Sequence, residues 1–102
     1  MTWIEQNITA LTTNAVTVSL HDANGALLLS QTSNFIKDRC DCVQNESALT
    51  FMPITEITSM YVKAFVGTTE YASYKLIPAQ KIAPSCVYKI GIGEFKICYG
   101  CE

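Results

Sequence analysis

Five cysteines are the residues of this 102-residue chain whose chemistry depends most clearly on their spacing. They form a Cys-x-Cys pair, a single cysteine and a Cys-x-x-Cys pair: Cys40, Cys42, Cys86, Cys98 and Cys101. Thiolates are soft ligands that suit zinc and iron–sulfur centres, so the two pairs are candidate ligands of a four-cysteine metal site. The Cys-x-Cys spacing is shorter than the two to four intervening residues usual in zinc sites, which weakens this interpretation.

Disulfide bonds are the second interpretation of the same residues. Counted back from a predicted turn at Gly93-Glu94, Cys86 falls opposite Cys101 on two paired strands. Directly opposed residues have Cα atoms about 4.5–5.5 Å apart, a separation that a disulfide can bridge. The Cys-x-Cys pair could instead bridge to the Cys-x-x-Cys pair, and buried free thiols are a third possibility. Because five is odd, at least one thiol is free, intermolecular or outside a metal cluster.

No other pattern in the sequence points to catalysis. His21 is the only histidine, and the nine carboxylates are dispersed without a paired spacing that would suggest acid–base chemistry. Five tyrosines could line a sugar-binding face, although tyrosine is also an ordinary strand residue: Tyr61, Tyr71, Tyr74, Tyr88 and Tyr99. We therefore expect a protein that is not an enzyme and that has no cofactor, unless the cysteines hold zinc or an iron–sulfur centre.

The elements that must position these residues are predicted to be short strands. Residues 15–31 give the clearest pattern, because alternating apolar residues are followed by Asn24-Gly25 and a second apolar run. Asn and Gly accept the positive φ of a two-residue hairpin turn. The register that follows pairs Leu20 with Leu29, Val18 with Gln31 and Asp22 with Leu27.

The rest of the chain predicts further strands and no strong helix. The segments are 35–43, 48–52, 60–66, 71–77, 86–92 and 95–101, the last two forming a hairpin around Gly93-Glu94. Residues 60–66 are expected to be a central strand, because both faces of the segment are at least half apolar. Residues 2–13 fit a short helix or a strand, and we favour an extended N-terminal arm or edge strand within residues 1–14. The prediction is one all-β domain over residues 1–102: an antiparallel β-sandwich of about seven short strands, or a small barrel.

Composition bears on the partners of the protein. The chain is 49% hydrophobic and 16% charged, whereas an average domain is about 25% charged, so part of its surface could be covered by a partner. A β-protein made soluble by Thr and Ser is the alternative. Apolar residues of the arm and edge strands are candidate interface residues: Trp3, Ile4 and Leu28.

Charge and hydropathy exclude other partners. Seven basic residues oppose nine acidic ones and the lysines are scattered, so we expect no binding to nucleic acid or to a membrane surface. The first residues lack the basic and apolar regions of a signal peptide, and no apolar run is long enough to span a membrane. The expected location is a virion or the cytoplasm.

Residues 15–31, with the run VxVxLxDxNGxLL, resemble the opening hairpin of immunoglobulin-like modules on tailed-phage virions and bacterial surfaces. The Cys-Trp-Cys core of antibody domains is missing, because the only tryptophan, Trp3, precedes every cysteine. The resemblance implies an immunoglobulin-like sandwich that serves assembly rather than catalysis. We therefore expect a structural virion component, such as a capsid decoration or tail-associated β-module, acting as a homo-oligomer or larger assembly. A four-cysteine metal module and a carbohydrate-binding β-sandwich are the alternatives.

Overall fold

The computed structural model describes residues 2–8, 15–35, 40–78 and 81–100, and all regular structure within them is β. The strands are β1 (Thr2–Ile8), β2 (Ala15–Asp22), β3 (Leu27–Asn34), β4 (Asp41–Phe51), β5 (Met60–Val66), β6 (Thr69–Leu76) and β7 (Tyr88–Tyr99). They form a three-stranded sheet in the order β1-β7-β4 and a four-stranded sheet in the order β3-β2-β5-β6. The prediction of an all-β protein is confirmed.

One hydrophobic core contains residues of both sheets. The four-stranded sheet contributes alternate positions of its two central strands: Val16, Val18, Leu20, Met60, Val62, Ala64 and Val66. The three-stranded sheet contributes Ile4, Ile8, Leu49, Phe51, Ile92, Phe95 and Ile97. Every second side chain of β5 is buried and the side chains between them are half-buried. The strand pairs with β2 on one side and with β6 on the other. It is the central strand that its sequence predicts.

The β2–β3 hairpin has the predicted register along most of its length. Leu20 pairs with Leu29, as expected, and so does Val18 with Gln31. The register shifts next to the turn, where His21 rather than Asp22 lies opposite Leu27. The predicted pairing of Asp22 with Leu27 is therefore wrong by one residue.

A three-residue loop replaces the predicted two-residue turn. The Gly25 amide donates to the Asp22 carbonyl at 3.1 Å, and the Asp22 amide donates to the Ala26 carbonyl at 3.0 Å. The Asp22 carboxylate also accepts hydrogen bonds from the amides of Asn24 and Ala26, both at 2.9 Å. Gly25 alone in the loop has a positive φ, +88°. Asp22 thus holds the turn through its own side chain, and Gly25 closes it in the manner of a glycine bulge.

The C-terminal region is one long strand and not the predicted hairpin. β7 runs through Gly93, and β4 pairs beside it from Asp41 opposite Tyr99 to Phe51 opposite Tyr88. Gly93 has a positive φ of +82°, but its backbone forms a bulge, with Ile92 as the extra residue. The hairpin is wrong because β4 is a continuous partner for both halves of β7.

β1 is an edge strand that runs parallel to β7. The preference for a strand over a helix is confirmed for residues 2–8, and residues 9–14 lie outside the described part. The parallel pair makes this sheet mixed, so the expectation of a purely antiparallel fold is wrong. Ile4 and Ile8 of β1 belong to the hydrophobic core, so the strand packs within its own chain and not against a partner.

Candidate docking surface

Two loops cross at the end of the molecule where β4 and β6 finish. Ile57 of the β4–β5 loop and Ile82 of the β6–β7 loop form an isolated antiparallel bridge, with two N–O distances of 3.0 Å. Both side chains are buried, and the Ser85 amide donates to the Pro53 carbonyl at 3.0 Å. The loops therefore form one connected surface over the end of the core.

Every large apolar side chain that is exposed within the described residues lies at this end. They are Leu27 (60% exposed), Met52 (61%), Ile54 (91%), Ile77 (67%) and Val87 (70%), and we call them together the apolar end. Each lies in or next to a loop at the end of a strand. The pairing of Asp22 with Met60, of Met60 with Leu76 and of Phe51 with Tyr88 brings those strand ends together.

Charge at the apolar end is compensated within the surface. The β4–β5 loop contains one charged residue, Glu56, and residues 81–87 also contain one, Lys81. Their side chains form an ion pair at 3.3 Å. The Asp22 carboxylate is held by the amides of its own turn. The apolar end therefore presents no uncompensated charge from these loops.

The three interface residues predicted from sequence do not belong to this surface. Ile4 is 7% exposed in the core, which corrects the expectation that it meets a partner. Trp3 is partly buried, with ring centroids 5.1 Å from Tyr74 and 6.2 Å from Phe95. Leu28 is partly buried against the same core. They pack inward because β1 and β3 are strands of the two sheets.

The sequence carried one signal for the apolar end. Met52 and Ile54 flank Pro53, and Ile77 precedes Pro78. Proline lacks the backbone donor of a strand ladder, so apolar residues beside it are displaced from the sheet. Apolar residues next to proline in a connection could therefore have been identified as exposed candidates.

The cysteines form a different pairing from the predicted Cys86–Cys101 bond. Cys42 and Cys98 lie directly opposite each other on β4 and β7 and form a disulfide, with Cα atoms 4.0 Å apart. Cys40 is also disulfide-bonded, whereas Cys86 is an exposed free thiol and Cys101 lies outside the described residues. The Cys86 prediction is wrong because it required the C-terminal hairpin. Bridging of the Cys-x-Cys pair to the Cys-x-x-Cys pair is confirmed for Cys42 and Cys98.

The disulfide also bears on the metal hypothesis. Zinc and iron bind thiolates, so Cys42 and Cys98 are not ligands while their sulfur atoms are bonded to each other. Within the described ranges, no group of three or more Cys, His, Asp or Glu side chains is arranged to hold a metal ion. A site formed by Cys40, Cys42, Cys98 and Cys101 stays a prediction for the reduced chain only.

The tyrosines do not share one face. Tyr74 points towards the other sheet, where its hydroxyl donates to the Ile92 carbonyl, and burial raises its pKa above the ordinary value near 10. Tyr88 accepts a hydrogen bond from the Ala83 amide at 3.1 Å, and Tyr99 contacts Phe35. Tyr61 lines a recess beside His21 on the four-stranded sheet.

No family model, curated protein or solved structure matches the chain. In the part of the chain that the structure describes, no helix is long and apolar enough to cross a membrane. Among the described residues, the apolar end and the recess at His21 are two surfaces that a partner or ligand could cover.

Proposed function

We propose that the protein is a structural assembly module that associates with further copies of itself through the apolar end. The observation that carries the proposal is the placement of all five large exposed apolar side chains of the described residues at one end. Removing apolar surface from water contributes about 25 cal/mol per Å² in favour of association, against which the entropy cost of association acts. An end that gathers these side chains is therefore the surface that gains most from being covered.

The shape of the molecule sets the strength of such a contact. Its extents are 44 × 24 × 18 Å. The twelve-residue β7, at about 3.3 Å per residue, is about 40 Å long and therefore fits only along the long axis. The area of an end-to-end contact is limited by the cross-section of the molecule, 24 × 18 Å. Stable interfaces bury about 800 Å² per partner, so this contact belongs at the lower end of the range. Such a weak contact becomes strong when both copies are already held in an assembly, because it then forms intramolecularly.

Charge favours a second copy as the partner. In a contact with two-fold symmetry, a surface patch meets the same patch of the second copy. An unpaired charge near the symmetry axis then lies opposite the identical charge of the other copy and is repelled by it. Glu56 and Lys81 neutralise each other within one molecule. This ion pair therefore adds no net charge to a contact between two copies.

Two sheets that share one core are compatible with the immunoglobulin-like sandwich that the sequence resemblance implies. We infer that the setting is a virion, where the module acts as a capsid decoration or tail-associated component. Such surfaces present many copies in a fixed array, which suits a small, repeated end contact.

Sedimentation velocity of the full chain over a range of concentrations tests the proposal. Ile54 is 91% exposed, so Ile54→Asp should leave the fold intact while placing a charge in the contact. We expect the wild-type protein to associate and Ile54→Asp to weaken the association at least about tenfold, since burying such a side chain contributes about 1.5–3 kcal/mol. Thr68→Asp adds the same charge at the exposed β5–β6 turn of the opposite end and should associate as the wild type does. A wild-type protein that stays monomeric at millimolar concentration, or equal weakening by both variants, would overturn the proposal.

A further inference from the structure

A recess of about 420 Å³ lies on the four-stranded sheet, beside the β2–β3 turn. It is lined by His21, Ala23, Asn24, Gly25, Tyr61, Lys63 and Ser73. Its volume is within the range of small-molecule sites, about 300–1,000 Å³. His21, Tyr61 and Lys63 are half-buried and alternate with the fully buried positions of β2 and β5, so the recess opens away from the core.

His21 is a fixed wall of this recess. Its Nδ1 lies 3.2 Å from the Gly25 carbonyl oxygen, and its Nε2 lies 2.8 Å from Ser19 Oγ. A carbonyl only accepts, so Nδ1 donates to Gly25, and in the neutral ring Nε2 then accepts from the Ser19 hydroxyl. Both ring nitrogens are therefore engaged. Ser19 is 3% exposed, so the pair does not present a nucleophile to a substrate.

Three other polar side chains of the recess are free to bind a ligand. The Asn24 amide, the Tyr61 hydroxyl and the Ser73 hydroxyl make no side-chain hydrogen bond within the described ranges. Tyr61 also offers an aromatic face, and Asn24 offers both a donor and an acceptor. The recess thus combines the aromatic ring of Tyr61 with hydrogen-bond donors and acceptors.

The charge in the recess is compensated. Lys63 Nζ lies 3.1 Å from a Glu70 carboxylate oxygen, and both side chains are partly exposed. An anionic ligand would have to compete with Glu70 for the ammonium group. A neutral ligand would keep the ion pair intact, and the remaining hydrogens of the ammonium group could still donate to it.

We propose that this recess binds a neutral saccharide. A sugar ring has an apolar C–H face that packs on an aromatic ring, and its hydroxyls both donate and accept hydrogen bonds. Tyr61 supplies the ring, Asn24 and Ser73 bind hydroxyls, and His21 holds the shape of the wall. The site is separate from the core and from the disulfide, and the proposal rests on a different observation from the self-association proposed above.

The test is an amide-resolved NMR titration of the full chain with methyl glycosides of glucose, galactose, mannose and N-acetylglucosamine. We expect at least one of these sugars to shift the amide signals of Asn24, Gly25, Tyr61 and Ser73. Ser73→Ala should weaken that binding about two- to tenfold, as expected for one hydrogen bond. Ser30→Ala removes an exposed hydroxyl from β3 of the same sheet, outside the recess, and should leave the affinity unchanged.

Glucuronate and inorganic phosphate, titrated in the same way, separate neutral from anionic ligands. Tyr61→Ala should abolish the sugar-induced shifts, because the stacking surface is lost. Binding of phosphate or glucuronate without binding of any neutral glycoside would overturn the proposal. So would the absence of shifts at tens of millimolar sugar, or equal effects of Ser73→Ala and Ser30→Ala. Sugar binding that persists in Ile54→Asp would support it independently of self-association.

Discussion

At the scale of single residues, Tyr74 joins the two sheets. It lies on β6, its ring packs against Trp3 of β1, and its hydroxyl donates to the carbonyl of Ile92, the extra residue of the β7 bulge. A bulge interrupts the ladder of a sheet and leaves backbone groups that need other partners. Tyr74 is therefore expected to stabilise the irregular part of β7 from the opposite sheet.

Replacing Tyr74 with Phe tests this contact. At neutral pH the variant should lose about 1–3 kcal/mol of unfolding free energy, because the Ile92 carbonyl loses its partner. Burial raises the Tyr74 pKa, so the folded chain keeps this proton at a pH where the unfolded chain has lost it. The contribution is thus fully present below about pH 10 and falls as the pH rises through the folded pKa. Urea unfolding from pH 7 to pH 11 should show a steeper alkaline loss in the wild type, and parallel curves would contradict the assignment.

Substitutions at Gly25 and at Gly91 can be compared to test whether the β2–β3 turn needs a residue with positive φ. A Cβ atom at either position would meet no heavy atom within 4 Å, but only Gly25 has a positive φ. Gly25→Ala should therefore cost about 1–2 kcal/mol of unfolding free energy through backbone strain alone. Gly91→Ala should be neutral or stabilise by up to about 1 kcal/mol, since it restricts the unfolded chain. Similar changes in the urea midpoint for both variants would show that the turn does not need a left-handed residue.

At the scale of elements, the alternation of apolar and polar residues predicted those strands whose own residues show it clearly. The bounds of β5 and most of the β2–β3 register follow from alternation of apolar residues. β7 was not predicted as one strand, because a glycine with positive φ occurs in a turn and in a bulge alike, and the length of β4 decides between them. The parallel partner of β1 was also missed, since nothing in residues 2–8 specifies the direction of a neighbour.

The two candidate surfaces also depend on contacts between segments that are distant in sequence, which local sequence patterns do not predict. The apolar end depends on two loops that cross through the Ile57–Ile82 bridge, a contact between segments that are distant in sequence. The recess depends on β2, β5 and β6 lying side by side. Sequence alone identified tyrosines and apolar residues as candidates, but only the pairing of strands and loops selects Tyr61 and brings Ile54 and Val87 to the same end of the molecule.

The Cys42–Cys98 disulfide links neighbouring strands that are 56 residues apart in sequence. Loop-closure entropy assigns a cross-link of this span up to about 4 kcal/mol of stabilisation. Replacing both Cys42 and Cys98 with Ser should lower the urea midpoint accordingly. Cys86→Ser is the matched control, because this thiol is exposed and free, and it should leave the midpoint unchanged. Equal midpoints for all three proteins would show that the bond adds no stability.

At the scale of the whole molecule, the two ends of the strands differ. One end has the Cys42–Cys98 disulfide near the finish of β7, and the other has the apolar end and the free Cys86 thiol before β7 begins. The two ends of the protein are therefore chemically different. Self-association through the apolar end would join two copies with their disulfide-linked ends pointing outward, where each remains free for other contacts in an assembly.

The most direct test of this arrangement is a distance between two copies. A nitroxide spin label on the exposed Cys86 thiol reports the separation of the apolar ends by pulsed electron resonance. Contact through the apolar end predicts a distance well below one 44 Å molecular length, and its loss in Ile54→Asp but not in Thr68→Asp. A distance approaching two molecular lengths would place the contact at the opposite end, and no dipolar coupling at any concentration would show that the copies do not associate. Either result would contradict an assembly formed through the apolar end.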